Sequence, residues 1–192
     1  MSYVKPIISG ILLFSLIYLL NQPISMGETN VPPLGDFFNP FSGFWQNADA
    51  HSGRDIIVES EINQDEIVIQ YDERGVPHIF ASNLEDLIFA QGYAIARERL
   101  WQMDITTRAI EGKTAEVLGA ASLDQDMRAR QRGLPRAARL ADESWKKNQD
   151  GYLLFERFSQ GINHYISTLS AADIPLEFKL LNYEPQEWSP YR

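Results

Sequence analysis

Glu66-Ile67-Val68-Ile69-Gln70-Tyr71-Asp72-Glu73-Arg74-Gly75-Val76-Pro77-His78-Ile79-Phe80-Ala81-Ser82-Asn83-Leu84-Glu85 is the stretch whose reading decides the fold. Its first six residues are rich in β-branched side chains and read as a strand. Asp72 to Gly75 is a turn, with Gly75 free to take positive φ. Val76 to Ala81 reads as a second strand, with Pro77 near its start, where a missing N–H does least harm. The two strands make a short β-hairpin. Ser82 and Glu85 then stand at capping-box spacing, which predicts a long helix from about Leu84 to Glu111, stopped by Gly112.

The apolar residues of that helix keep to no single stripe. Leu87, Ile88, Phe89, Tyr93, Ile95, Leu100, Trp101, Met103 and Ile105 go most of the way round, as in a helix buried on several sides. The same helix carries Arg97, Glu98, Arg99, Asp104 and Arg108, and charges inside a mostly buried helix need partners. Asp104 and Arg108 stand four residues apart and are placed to pair. A structural ion-pair network is the first reading of these charges, and direct substrate contact the second.

Downstream the pattern stays helical. A single turn is expected at Thr114–Leu118, ended by Gly119, and a helix from Ser122 or Leu123 to Gln131. Another is expected over Pro135–Lys147, with proline suited to the first turn. A long amphipathic helix capped by Asp150 should run to about Leu169, with Leu153, Leu154, Phe158, Ile162, Tyr165, Ile166 and Leu169 on one side. Pro175 opens a short piece, and Tyr183 to Pro190 is loop. The arginines between Arg128 and Arg139 read as a solvated helix face. The fold class is therefore α+β, mainly helical with a short N-terminal β-hairpin.

Upstream, Lys5 precedes Ile7–Leu20, a charge-free run of 14 residues. As a helix it rises about 21 Å, short of a hydrocarbon core about 30 Å thick, and it suits the apolar region of a signal peptide. Ser25 and Gly27 are small residues placed as at a cleavage site. Residues 1–27 are thus a signal peptide or an uncleaved membrane anchor, with possible membrane association through residues 7–20. On either reading Lys5 stays inside and the remainder is exported, to a periplasmic, extracellular or membrane-anchored location. Residues 28–65 hold prolines, glycines and the aromatics Phe37, Phe38, Phe41, Phe44 and Trp45. They read as an extended arm packing its rings on the body, or less simply as rings at a membrane surface. Residues 66–192 form the main domain.

Composition narrows the function. Of 192 residues, 44% are hydrophobic and 22% charged, which is ordinary for a globular chain, and the formal charge of −9 disfavours nucleic acid as a partner. The absence of cysteine excludes disulfides, thiolate nucleophiles and cysteine-bound zinc. His51, His78 and His164 share no metal-ligand spacing. No nucleophile elbow or phosphate-binding glycine loop occurs. Asp124 and Asp126, two apart on a helix, do not face each other. From the residues alone the chain is an exported, mainly helical domain.

A set of motifs says more. Asp72-x-x-Gly75-Val76-Pro77-His78-Ile79-x-Ala81 is followed by Asp86-Leu87-x-Phe89-Ala90-Gln91-Gly92-Tyr93 and Ala96-x-Glu98-Arg99-Leu100-Trp101-Gln102-Met103-Asp104. Then come Arg108, Gly112, Ala115-Glu116-Val117-Leu118-Gly119, Asp126 and Arg130. The last are Gly161-Ile162-Asn163, Pro175-x-Glu177-Phe178 and Pro185-x-x-Trp188-x-Pro190. In order and spacing this set resembles the penicillin acylase family from about Ile67 to Pro190. Two positions depart from it: Thr107 stands where the family usually has an arginine, and Arg97 where it usually has glutamine.

The resemblance implies the N-terminal, α-chain part of an N-terminal-nucleophile hydrolase precursor, a zymogen cut into α and β chains. A serine freed at the β-chain N-terminus attacks an amide carbonyl, with its own α-amino group as base. It further implies an αββα sandwich to which these residues give the helical cover and the first strands. The partners would be the β chain of the same precursor and a small-molecule acyl amide. Penicillins (hence antibiotic metabolism), acyl-homoserine lactones and acylated peptides are the substrates found in the family, and calcium bridges the chains in several members. The matching motifs carry none of the family's catalytic residues, oxyanion donors or calcium ligands, all expected beyond Arg192. No catalytic, substrate-binding or metal-binding residue is therefore assigned within residues 1–192, and His78 is read as structural. The chain is expected to be inactive alone. The alternative is a non-catalytic, membrane-tethered helical binding protein on the same scaffold.

Overall fold

The computed structural model describes residues 4–26, 29–49, 55–59 and 66–192. Five strands and seven α-helices are present among them. In order these are α1 (Val4–Leu20), β1 (Ile24–Met26), β2 (Thr29–Val31), a 3-10 segment (Phe44–Asp49), β3 (Ile56–Glu59), β4 (Glu66–Tyr71) and β5 (Pro77–Phe80). They continue with α2 (Leu84–Glu111), α3 (Ala115–Leu118), a 3-10 turn (Ala120–Ser122), α4 (Leu123–Gln131), α5 (Leu134–Trp145), α6 (Gln149–Thr168) and α7 (Leu176–Leu181). The architecture is α+β and mainly helical, as expected. The proposed boundary at residue 27 lies outside the described residues, as does His51.

The hairpin of β4 and β5 forms where it was read, and Gly75 takes φ +75° in its turn. The Asp72 carboxylate accepts from the backbone N–H groups of Arg74 and Val76 at 2.9 and 2.8 Å, closing the turn. The sheet has one strand more than expected. β3 lies in the stretch read as an extended arm, and it pairs antiparallel with β4, giving the order β3-β4-β5. Ile56-Ile57-Val58 is a β-branched triplet, and it carried the signal. The register puts Ile56, Ile69 and Ile79 in one row and Val58 and Ile67 in another, facing the helices. Ile57, Val68 and Phe80 form a row on the opposite face.

α2 runs over the predicted range and ends on Gly112 in the left-handed region. Its cap is one residue further on than expected. Asn83, not Ser82, accepts from the Asp86 N–H at 2.9 Å, and its amide donates to the Asp86 carboxylate at 2.7 Å. The first bond satisfies one of the helix's orphan N–H groups, and the second fixes the orientation of the Asn83 amide. Asn83→Ala is therefore expected to cost about 1 kcal/mol and Ser82→Ala close to nothing, read as urea midpoints. Equal effects would refute this assignment. α2 also breaks at Arg99, whose φ of −144° and ψ of 24° are not helical; neither proline nor glycine stands there, and the sequence offers no explanation. The cap of α6 is likewise Asn148, accepting from the Gly151 N–H at 3.3 Å, rather than Asp150.

The core is α2 packed along α6, the two running in the same direction, so that Glu85 meets Arg157, Phe89 meets Gly161 and Tyr93 meets Tyr165, with β4 and Phe178 of α7 packed against them. Gly161 of α6 rests on the Phe89 carbonyl, and Gly92 of α2 rests on the Phe158 carbonyl. This reciprocal contact brings the two backbones as close as glycine permits. Arg157 of α6 donates to Glu85 of α2 at 2.9 Å along the same seam. Ile162, Phe178, Ile67 and Ile69 are fully buried around it.

The aromatic arm differs from its expected packing. Its rings pack mainly on one another: Phe37 stacks on Phe44 at 5.1 Å between centroids, Phe38 lies edge-on to both, and Trp45 lies 4.0 Å from Phe44. The tie to the body is polar. The Asn47 amide donates to the carbonyls of Ala172 and Ile174, and the Lys179 ammonium donates to the Gly43 carbonyl and the Asn47 side chain. Proline and glycine force the chain to turn back on itself here, so the rings meet before any reaches α2 or α6.

Candidate functional site

Motif residues far apart in sequence meet around the second half of α2. Asp104 and Arg108 pair at 2.8 Å, both almost fully buried. The other oxygen of Asp104 accepts from Arg192 at 2.5 Å, and the Tyr183 hydroxyl donates to the carboxylate at 3.0 Å. Arg108 reaches on to Glu116 at 3.0 Å. Two carboxylates thus face two guanidinium groups, which is how a buried charge cluster avoids an unpaired member. Burial opposes the charge on Arg108, yet the Asp104 bond and charge outweigh it and hold the guanidinium more firmly protonated. Burial, reinforced by the Asp104 charge, pushes the Tyr183 phenol far up, so it remains the donor.

The segment after α7 is held at two points. Asn163 donates to the Trp188 carbonyl at 2.8 Å and accepts from the Trp188 N–H at 2.7 Å. At the other point Asp104 holds Arg192. The departure at Thr107 falls here: its hydroxyl lies 3.0 Å from the Met103 carbonyl and 3.3 Å from that of Arg192, sharing one proton between them. The departure at Arg97 sets its guanidinium 4.7 Å above the Tyr71 ring, joining α2 to the sheet.

A second cluster shapes the turn after α2. Asp126 accepts from the Thr114 N–H at 2.9 Å, the Thr114 hydroxyl at 2.5 Å and the Ala115 N–H at 2.7 Å, capping α3 from a distance. Arg130, one turn on, donates to the Gly112 carbonyl at 3.0 Å. Burial pushes the Asp126 carboxyl up, but these three bonds and Arg130 outweigh it and hold it below its ordinary 3.8. A depressed carboxyl contributes stability above its unfolded pKa, and that contribution is lost as pH falls through the folded one. Thermal unfolding is expected to drop steeply below pH 4. Asp126→Asn should lower stability near neutral pH by about 2 kcal/mol and flatten that acid limb. An unchanged acid limb in this variant would assign the loss to other carboxylates.

An open cleft of about 1070 Å³ lies between the β4–β5 turn, the first half and break of α2, the end of α6 and the start of α7. Arg97, Glu98, Arg99 and Gln102 line it beside Tyr93 and Tyr165. Burial, helped by Asp173, pushes the Tyr165 phenol up to about 12, so it stays protonated. His78 stands outside this cleft on β5, half-exposed and 3.7 Å from the Asp72 carboxylate.

Asp104 and Arg108 are engaged with each other, and Asp126 with Thr114 and Ala115; among the described residues no three His, Asp or Glu side chains are gathered to hold a metal ion. The geometry is that of a scaffold: it fixes one chain segment, 183–192, against α2 and α6. Sequence reasoning found the Asp104–Arg108 pair. It missed Tyr183, Arg192 and the Asn163–Trp188 clamp, whose partners are remote in sequence.

The mainly helical α+β layer built on these clusters has counterparts among known proteins. The penicillin amidase family model matches residues 66–192. The chain belongs to that family. It is 34% identical over 123 residues to the penicillin acylase 2 proenzyme of Pseudomonas sp. (strain SE83), covering 64% of this chain and 15% of that protein. It is 31% identical over 135 residues to the penicillin G acylase of Escherichia coli, covering 69% and 16%. Its structure matches that of the thermostable penicillin G acylase from Alcaligenes faecalis with a TM-score of 0.57 and 29% identity, over 65% of this chain and 66% of that one. The chain thus spans about 15% of the length of the curated relatives it matches.

Proposed function

We propose that residues 66–192 are the leading α-chain part of an exported amide hydrolase of penicillin acylase type, whose precursor cuts itself into two chains. The observation that carries this reading is the family match over the whole of residues 66–192. The sheet supports it. One face is covered by α2, and the row on the other face is apolar, with Ile57 and Phe80 more than half exposed. Gln70 and His78 pair on the same face, so the exposed apolar row is a strip, and it marks where a second layer would lie in an αββα sandwich. The downstream chain would supply the second sheet, the serine nucleophile and any calcium ligands. N-acylated small molecules, penicillins among them, are its substrates. Residues 1–192 by themselves lack the attacking group and are inactive.

The test is expression of the whole reading frame and of residues 1–192 side by side, assayed on penicillin G, an acyl-homoserine lactone and a chromogenic acyl anilide. The full product is expected to appear as two chains and to hydrolyse at least one of these amides, and residues 1–192 none. A reading frame that closes after Arg192, giving a chain that unfolds cooperatively without acylase activity, would replace this reading with the tethered binding protein.

A further inference from the structure

α1 buries none of its residues. Ile11, Leu12, Leu13 and Phe14 are consecutive, so at about 100° per residue they point round the whole circumference, and they are 60%, 64%, 57% and 78% exposed. A protein groove covers one stripe of a helix. A helix apolar on every side calls for a medium that surrounds it, and hydrocarbon is such a medium.

The helix is also continuous with the aromatic arm. The N–H groups of Leu34 and Gly35 donate to the Leu20 carbonyl at 2.8 and 2.9 Å, fastening the arm to the end of α1. No charge occurs from Phe37 to Ala48, and in this stretch Phe41 is 85% exposed, with Phe38 and Trp45 partly so. Aromatic rings at the end of an apolar helix match the headgroup level of a bilayer. Among the described residues no helix is long and apolar enough to cross a membrane. The 17 residues of α1 rise about 26 Å, and the ring cluster extends the apolar unit at its body end.

We propose that α1 and the ring cluster of residues 37–45 form one lipid-docking unit, with α1 sunk in the hydrocarbon of a phospholipid bilayer and Phe38, Phe41 and Trp45 at the headgroups. Asn47 and Lys179 join the cluster to the body, which therefore sits against the membrane surface. The chain is acidic overall, with a formal charge of −9, so docking is apolar rather than electrostatic and needs no anionic lipid. This inference is independent of the acylase reading.

The full chain is made by cell-free synthesis with phosphatidylcholine vesicles, floated on a density gradient, and its tryptophan emission read with lipids brominated near the headgroup. It is expected to float equally at low and high salt. Bromolipid quenching is expected in the wild type and largely lost in Trp45→Phe, which removes the reporter without changing the apolar surface. Phe41→Ser with Trp45→Ser should weaken partitioning about tenfold, and Leu13→Glu should abolish flotation. Failure to float, flotation only with anionic lipid, or quenching unchanged in Trp45→Phe would overturn the proposal. So would lipid-free oligomers that do not float, or recovery from cells of a mature chain beginning after residue 27.

Discussion

Gly161→Val is expected to prevent the chain from folding, and Gly161→Ala to destabilise it by about 3 kcal/mol, at the upper end of ordinary overpacking costs. A Cβ at Gly161 has nowhere to go: the space belongs to the Phe89 carbonyl and the Tyr93 N–H, both fixed in α2. Backbone in the middle of a helix cannot yield as a side-chain tip does. Alanine raises intrinsic helix propensity by about 1 kcal/mol, so the measured loss understates the clash. Gly92→Ala should behave alike, since its Cβ meets the Phe158 carbonyl. Gly151 on the same helix is the control. Its Cβ would meet only the Asn148 side chain, and Gly151→Ala is expected to shift stability by less than about 1 kcal/mol. Urea unfolding followed by circular dichroism reads all three. Equal midpoints for Gly161→Ala and Gly151→Ala would remove the close approach of α2 and α6 as an organising contact.

Asp104→Ala is the second large effect, with an expected loss of about 3–5 kcal/mol, the range for breaking a buried ion pair by removing one partner. The substitution strands Arg108 and Arg192 without their shared counter-charge and leaves the Tyr183 hydroxyl without its acceptor. The pair is separable from general damage by a double-mutant cycle. Asp104→Ala with Arg108→Ala should cost less than the sum of the two single changes by at least about 1 kcal/mol. Strict additivity would show that the two side chains do not act together.

The parts of this fold that were legible in the sequence are those with local causes. The hairpin is written in a β-branched run, a glycine turn and a proline placed at a strand start. α2 and α6 are written in their caps and apolar spacing, although each cap was misplaced, by one residue at Asn83 and by two at Asn148. Neighbouring Ser, Asn and Asp residues offer the same chemistry, and geometry alone chooses among them. β3 was overlooked because four residues flanked by polar chain give too short a pattern to separate from an extended arm. The break at Arg99 left no trace at all. The family followed from ordered motifs, but the motifs did not say what their residues do. Asn163 and Trp188 meet across 25 positions, and Asp104 meets Tyr183 and Arg192 across 79 and 88. No periodicity records such meetings. Only the fold shows that Asp104, Asn163 and Trp188, spread over three motifs, hold one segment in place.

That long reach has a consequence in time. Asp104 leaves the ribosome 88 positions ahead of Arg192, a delay of roughly 4 to 18 s at ordinary rates of synthesis. During this interval Arg108 is near enough to pair with it, but Tyr183 and Arg192 do not yet exist. The second half of α2 must therefore wait, partly neutralised and partly wet, while α4, α5 and α6 are made. The last step of building this layer is the arrival of Tyr183 and Arg192 on a carboxylate synthesised long before them.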